Sequence, residues 1–158
     1  MSGAPPDAPL SARGLRFGIV ASRFHSEIVD GLLQEALKCL SEMGAEEGAV
    51  RVVRVPGAFE IPLAVRLLCE RGDLDAVVAL GAVVRGETEH HHHLAQEVLA
   101  ALCRLSGENR VPVTCGVLTT ENETQARARS RPGDPENRGR HAARAAVEMA
   151  RVVRELRG

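Results

Sequence analysis

Nine consecutive residues, Ala76 to Val84, carry no charged or hydrogen-bonding side chain. Successive side chains of a strand leave opposite faces of its sheet, so a strand wetted on one face alternates, whereas one that is apolar throughout must be covered on both faces. The run is far too short to span a bilayer, which takes about 20 apolar residues. It therefore predicts a central strand of a parallel sheet with helices packed above and below.

The rest of the chain supplies those layers. An apolar-rich run over Arg16 to Ser22 is followed by Ile28, Leu32, Leu33, Ala36, Leu37 and Leu40 at helical spacing. Val50 to Val55 forms a second short strand, and Ile61, Val65 and Leu68 mark a helix closed by Gly72. After the apolar run, Leu94, Val98, Leu102 and Leu105 repeat at helical spacing. Val111 to Leu118 reads as a fourth strand, with Pro112 near its start, where a missing amide donor is least harmful. A short helix from Glu121 and a long one from Asn137 to Leu156 complete the pattern, separated by a polar, proline-bearing loop over Ser130 to Glu136. Strands alternating with helices predict an α/β sandwich around a four-stranded parallel sheet.

At 158 residues and 44% apolar content, one domain with a substantial core is expected, over residues 15–158. Met1 to Gly14 has three prolines and neither a basic start nor an apolar stretch, so it reads as a flexible arm rather than a signal peptide or membrane anchor. With 20 basic against 21 acidic residues there is no field to attract nucleic acid or an anionic membrane. The chain has no tryptophan or tyrosine and three phenylalanines, so it also lacks the aromatic platforms of single-strand binders. Cys39, Cys69, Cys103 and Cys115 are scattered singly, which suits a reducing, cytoplasmic setting.

Four of the six histidines form one run, His90 to His93. Its place between a strand pattern and a helix pattern marks it as native sequence rather than a purification tag. Histidine titrates nearest neutrality, so the run is a candidate for proton transfer or metal binding. Neighbouring helical residues diverge by about 100°, leaving only His90 and His93 on a shared face, and no cysteine or histidine elsewhere falls at zinc-like spacing. Proton transfer at His90 is the favoured reading, no metal is expected, and His91 and His92 read as a solvated helix start.

Ligands of open parallel sheets bind beyond the carboxyl ends of the strands. The unusual residues of this chain collect there: Arg23-Phe24-His25 after the first strand, Pro56 to Glu60 after the second, Arg85 to His90 after the third, and Thr119 to Asn122 after the fourth. Phe24 either plugs the core or stacks on a planar heterocycle. Phe59 reads as core or subunit interface. Glu60 either meets a hydroxyl-rich ligand or complements a helix dipole. Gly86, Glu87 and Thr88 offer backbone donors and a hydroxyl to an anion, with Thr88 also a candidate cap. Arg127, Arg129 and Arg131 suit phosphate, or a solvated arginine face. Four loops converging on one rim would suit a planar polyol and a phosphate.

Three motifs carry a resemblance: Pro56-Gly57-Ala58-Phe59-Glu60-Ile61-Pro62, Gly81-Ala82-Val83-Val84-Arg85-Gly86-Glu87-Thr88, and Gly116-Val117-Leu118-Thr119-Thr120-Glu121-Asn122. In this order they resemble the lumazine synthase family over residues 15 to 157. The resemblance implies a flavodoxin-like, three-layer fold. It also implies condensation of 5-amino-6-ribitylaminouracil with 3,4-dihydroxy-2-butanone 4-phosphate to 6,7-dimethyl-8-ribityllumazine, with no metal or organic cofactor. Carried over residue by residue, Phe24 stacks on the pyrimidine, Ala58, Phe59 and Glu60 hold the ribityl chain, and Ala82, Val83 and Val84 contact the ring, with Cys115 beside it. Glu87, Thr88, Arg129 and Arg138 hold the phosphate, and His90 moves protons.

The departures from the family pattern are specific. His91 to His93 replace an aromatic and acidic stretch, Cys115 replaces a common phenylalanine, Arg138 a lysine, and His25 a common asparagine. The resemblance further implies pentamers, which in some members form decamers or pack as twelve pentamers into a shell, with active sites between subunits and riboflavin synthase as a candidate partner. The loop over 131–136 looks longer than in shell-forming relatives, which favours an isolated pentamer, and an arm such as 1–14 could add to a neighbour's sheet edge. The rival readings are an archaeal-type riboflavin synthase and a flavin- or lumazine-binding shell protein whose chemistry has lapsed.

Overall fold

The computed structural model describes residues 10–86 and 89–158. Its elements run β1 (Phe17–Ser22), α1 (Ser26–Glu42), β2 (Val50–Val55), a 3-10 turn (Ala58–Glu60), α2 (Ile61–Glu70), β3 (Ala76–Val84), α3 (His90–Asn109), β4 (Val113–Thr120), α4 (Glu123–Ser130) and α5 (Arg138–Arg157). The strands lie in the order β2-β1-β3-β4, and every neighbouring pair is parallel. This is an α/β, flavodoxin-like arrangement with a three-layer section.

The winding explains the layers. From β1 the chain steps outward to β2, then crosses back past β1 to β3 and on to β4, so the direction of travel reverses once. With crossovers of one hand, that reversal sends the connecting helices to opposite faces. Accordingly α1, α4 and α5 share one core with Phe17, Ile19, Val78 and Leu80, while α2 and α3 share the other with Val20, Val77, Ala79 and Val83. Alternate residues of β3 thus serve alternate cores, and the strand is buried from Ala76 to Val83. The reversal also opens a crevice at the carboxyl ends of β1 and β3, where the sheet order switches.

Boundaries moved where backbone hydrogen bonding overrides side-chain pattern. β4 begins at Val113 rather than Val111 and extends to Thr120: the Pro112 carbonyl accepts from the Val77 amide at 2.9 Å, but its own nitrogen has nothing to donate. α4 begins at Glu123, because the Asn122 side chain accepts from the Gln125 amide at 2.8 Å and makes Asn122 the cap. Of the arm expected over 1–14, the described part lies against the domain. Ala12 is fully buried and donates to the Met43 carbonyl, and Arg151 reaches the carbonyls of Ser11 and Arg13 at 2.9 Å each.

α1 and α5 approach so closely that glycine is required at the crossing. A Cβ on Gly139 would overlap the Leu32 carbonyl of α1, and one on Gly31 would overlap the Ser130 carbonyl. Asn137 locks the junction: fully buried, it caps α5 by accepting from the Gly139 and Arg140 amides while its amide group donates to the carbonyls of Gly31 and Arg131. The four cysteines are all free thiols. Among the described residues no helix is long and apolar enough to cross a membrane.

Candidate active site

The loop after β1 is pinned by continuing the sheet's hydrogen bonding past the strand. Arg23 donates to the Val55 carbonyl at 2.7 Å and Phe24 to the Pro56 carbonyl at 2.9 Å, which seats the aromatic ring beside the loop that follows β2. His25 then turns the chain into α1 with φ 57° and ψ 49°, the left-handed region that favours Asn, Asp and His among residues bearing a Cβ. This gives a conformational reason for His25 standing where the resemblance leads one to expect asparagine. Its ring meets that of Phe24 edge-on at 4.5 Å.

The loop after β2 makes a tight 3-10 turn, closed by Glu60, whose carboxylate accepts from the Gly57 amide at 2.9 Å. The Glu60 side chain thus closes its own turn through one carboxylate oxygen. Phe59 is 76% exposed, which removes the core reading for it, and Leu63 and Leu67 follow at one-turn intervals, also exposed. Together they form an unpartnered apolar stripe, while Ile61, Val65 and Leu68 hold the opposite side of α2 to the sheet.

A cleft of about 290 Å³ opens between these loops, the end of β3 and the start of α3. Phe24, Ala58 and Phe59 form one wall, Ala82, Val83 and Val84 the floor, and His90 stands at the mouth of α3. Seven of the expected site residues therefore meet in one place. Gly86, a candidate anion donor, lines it as well, as do His25, Gly57, His91 and Leu94, which had no assigned site role although all but Leu94 adjoin a candidate in sequence. Glu87 and Thr88, expected to meet phosphate, lie outside the described residues.

The histidine run divides sharply. His90, His92 and His93 are exposed, but His91 is buried, which corrects its reading as a solvated helix start. It shares a helical face with Ala95, Val98, Leu102 and Leu105, so the apolar stripe of α3 extends one turn further toward its N-terminus than the leucines indicate. His91 and His92 hold their rings 3.9 Å apart, and His92 Nε2 lies 3.5 Å from Glu89 Oε2. Arg85 bridges the neighbouring acids, 2.9 Å from Glu121 and 4.0 Å from Glu89.

Not all expected residues reach the cleft. Cys115, Arg129 and Arg138 instead line a second hollow of about 250 Å³ along β4, the strand at the end of the sheet. Although the residue is exposed, the protein packed around its sulfur raises the Cys115 thiol pKa above its ordinary value, so at neutral pH it is a neutral thiol. Nor do Arg127, Arg129 and Arg131 form a common cationic end. Residues two apart on a helix face nearly opposite ways, so Arg127 pairs with Glu27 at 2.9 Å while half-buried Arg129 turns back to the Gln125 carbonyl; Arg131, in extended backbone just past α4, faces Asp134 at 3.9 Å. The cleft and the hollow share no lining residue.

Residues 14–154 match the profile of a family described as 6,7-dimethyl-8-ribityllumazine synthase. The protein of that name from Aquifex aeolicus (strain VF5) is 44% identical over 153 residues, 96% of this chain and 97% of its own. One from Clostridium kluyveri is 45% identical over 152 residues, covering 95% and 97% of the two chains, and one from Cupriavidus necator is 46% identical over 147, covering 93% and 86%. With most of both chains aligned at such identity, and the crevice residues placed as described, this chain belongs to the 6,7-dimethyl-8-ribityllumazine synthase family.

Proposed function

We propose that this chain, a transferase of riboflavin biosynthesis by its family, joins its two substrates at a site completed by a second copy of itself. The observation that carries the reading is the separation of the cleft holding Phe24, Ala58 and His90 from the hollow holding Cys115, Arg129 and Arg138. A cleft of about 290 Å³ lies at the foot of the range for drug-sized ligands, roughly 300–1,000 Å³, and two substrates must fit. The exposed Phe59-Leu63-Leu67 stripe beside it supplies the apolar surface a neighbour would cover. A pentamer meets this need, each copy lending its hollow to the next copy's cleft.

In this arrangement Phe24 stacks on the pyrimidine of 5-amino-6-ribitylaminouracil, the turn at Ala58 to Glu60 holds the ribityl hydroxyls, and the β3 end from Ala82 to Val84 contacts the ring. The neighbour's Arg129 and Arg138, with Glu87 and Thr88, take the phosphate of 3,4-dihydroxy-2-butanone 4-phosphate, and the neighbour's Cys115 lies against the ring. The amine attacks the ketone and water leaves to form the imine. Phosphate then departs, and the second nitrogen closes the ring with loss of another water. Each step moves protons to or from nitrogen or oxygen, which suits an imidazole at His90. Holding two reactants in register contributes the larger part of the rate gain. The reading includes a cytoplasmic location, which the four free thiols suit.

Mixing the two substrates with protein and following lumazine absorbance tests this. Wild type should exceed the spontaneous rate; no excess would sink the enzyme reading. His90→Ala should lower kcat by about 10- to 100-fold, at or below the lower end for general acid–base groups because His90 is exposed. A fall in affinity with kcat unchanged would remove His90 from proton transfer.

A further inference from the structure

We propose that His91, His92 and Glu121 form a binding site for a borderline divalent transition metal such as Zn²⁺, beside the substrate cleft. Taken alone, the histidine run offers no convergent ligand set, since neighbouring helical residues diverge. What changes this is the fold: β3 and β4 are adjacent and parallel, so the turn leaving β4 comes to the first turn of α3 and delivers a carboxylate. One ligand atom from each of His91, His92 and Glu121 lies within 4.8 Å of the other two. Tetrahedral zinc, with bonds of about 2.0–2.2 Å, needs ligand atoms roughly 3.3–3.6 Å apart, so closure asks for shifts on the order of 1 Å, within reach of side-chain rotation at two surface residues.

The donor set selects the metal. Two imidazoles and one carboxylate, with a fourth position left to water, suit zinc and its transition-metal neighbours and are poor for magnesium or calcium, which prefer all-oxygen shells. The groups are also held in place. His91 is fixed by burial in the α3 face, and the Glu121 amide donates to the Gln125 side chain at 3.0 Å, which anchors the turn. Arg85 now sits 2.9 Å from the Glu121 carboxylate, and Glu89 lies 3.5 Å from His92. A dication would exchange with the Arg85 guanidinium for Glu121 and gain Glu89 as a nearby negative charge. Because the site spans residues adjoining His90, metal binding would tie the first turn of α3 to the β4–α4 turn.

Equilibrium dialysis of the full chain against Zn²⁺, with the absorption of bound Co²⁺ as a geometric readout, decides the matter without reference to activity. One tight zinc per chain with a four-coordinate cobalt spectrum is expected. Glu121→Gln and His92→Gln, both at the surface and so compatible with folding, should each weaken zinc by at least about tenfold, while His93→Gln stays within about twofold. Zinc binding unchanged in Glu121→Gln, or lost equally in His93→Gln and His92→Gln, would mean adventitious capture by the histidine run and would overturn the site.

Discussion

Arg129→Ala is expected to lower kcat/KM by about 10³-fold, through the phosphate-bearing substrate. A guanidinium donates two charge-assisted hydrogen bonds to a phosphate, each contributing about 1.5–3 kcal/mol, and a factor of ten in rate corresponds to about 1.4 kcal/mol. Arg129 suits this task because it is half-buried and oriented by the Gln125 carbonyl, whereas Arg127 and Arg131 are occupied by Glu27 and Asp134. Steady-state kinetics with each substrate varied in turn would show the loss concentrated on the butanone phosphate. Equal loss on both substrates would point to a structural role instead.

The same variant tests whether the site is shared. The His90 cleft and the Arg129 hollow lie apart on one chain, so a mixture of His90→Ala and Arg129→Ala chains, assembled together in equal amounts, creates some sites with both halves intact. Random assembly makes about a quarter of the sites wild type, a large recovery over either variant alone. Activity of the mixture equal to the mean of the two parents would mean that each chain works by itself.

The second large effect is on stability. Gly139→Ala should cost about 3 kcal/mol, because its Cβ meets the backbone carbonyl of Leu32 and cannot be accommodated by rotating a side chain. Relief requires α5 to move off α1, which also strains the buried Asn137 cap, itself a feature of about 1 kcal/mol. For a chain of this size the melting temperature should fall by about 10 °C at fixed protein concentration. Gly107→Ala is the matched control. It lies within α3, nothing stands within 4 Å of its added Cβ, and alanine is the better helix former, so stability should hold or rise by about 0.5–1 kcal/mol. Similar melting shifts for the two variants would refute the close-approach argument.

Periodicity reports how each segment is buried, so the strands and helices could be read almost to the residue where side chains alone decide them. β2 and β3 begin and end where the pattern places them, and the α2 face of Ile61, Val65 and Leu68 is the buried one. The errors fall where another force decides. The start of β4 is set by the missing amide of Pro112, the start of α4 by the Asn122 cap, and the burial of His91 by a helical stripe that a polar side chain conceals. The candidate site was legible as motifs, since Phe24, Ala58, Phe59, Ala82 to Val84 and His90 follow strand ends in sequence and meet in one cleft.

Which residues share a site was not legible, because proximity depends on strand order and on the side of the sheet to which each crossover returns. Local pattern along the chain determined the layers, the both-faces burial of Ala76 to Val83 and the loops that carry the chemistry. Only the tertiary structure set Cys115, Arg129 and Arg138 apart along the outer strand, brought Glu121 to His91 and His92, and required glycine where α1 meets α5. Each of these is a contact between segments far apart in sequence, and a one-dimensional period carries information about burial but none about the identity of the neighbour.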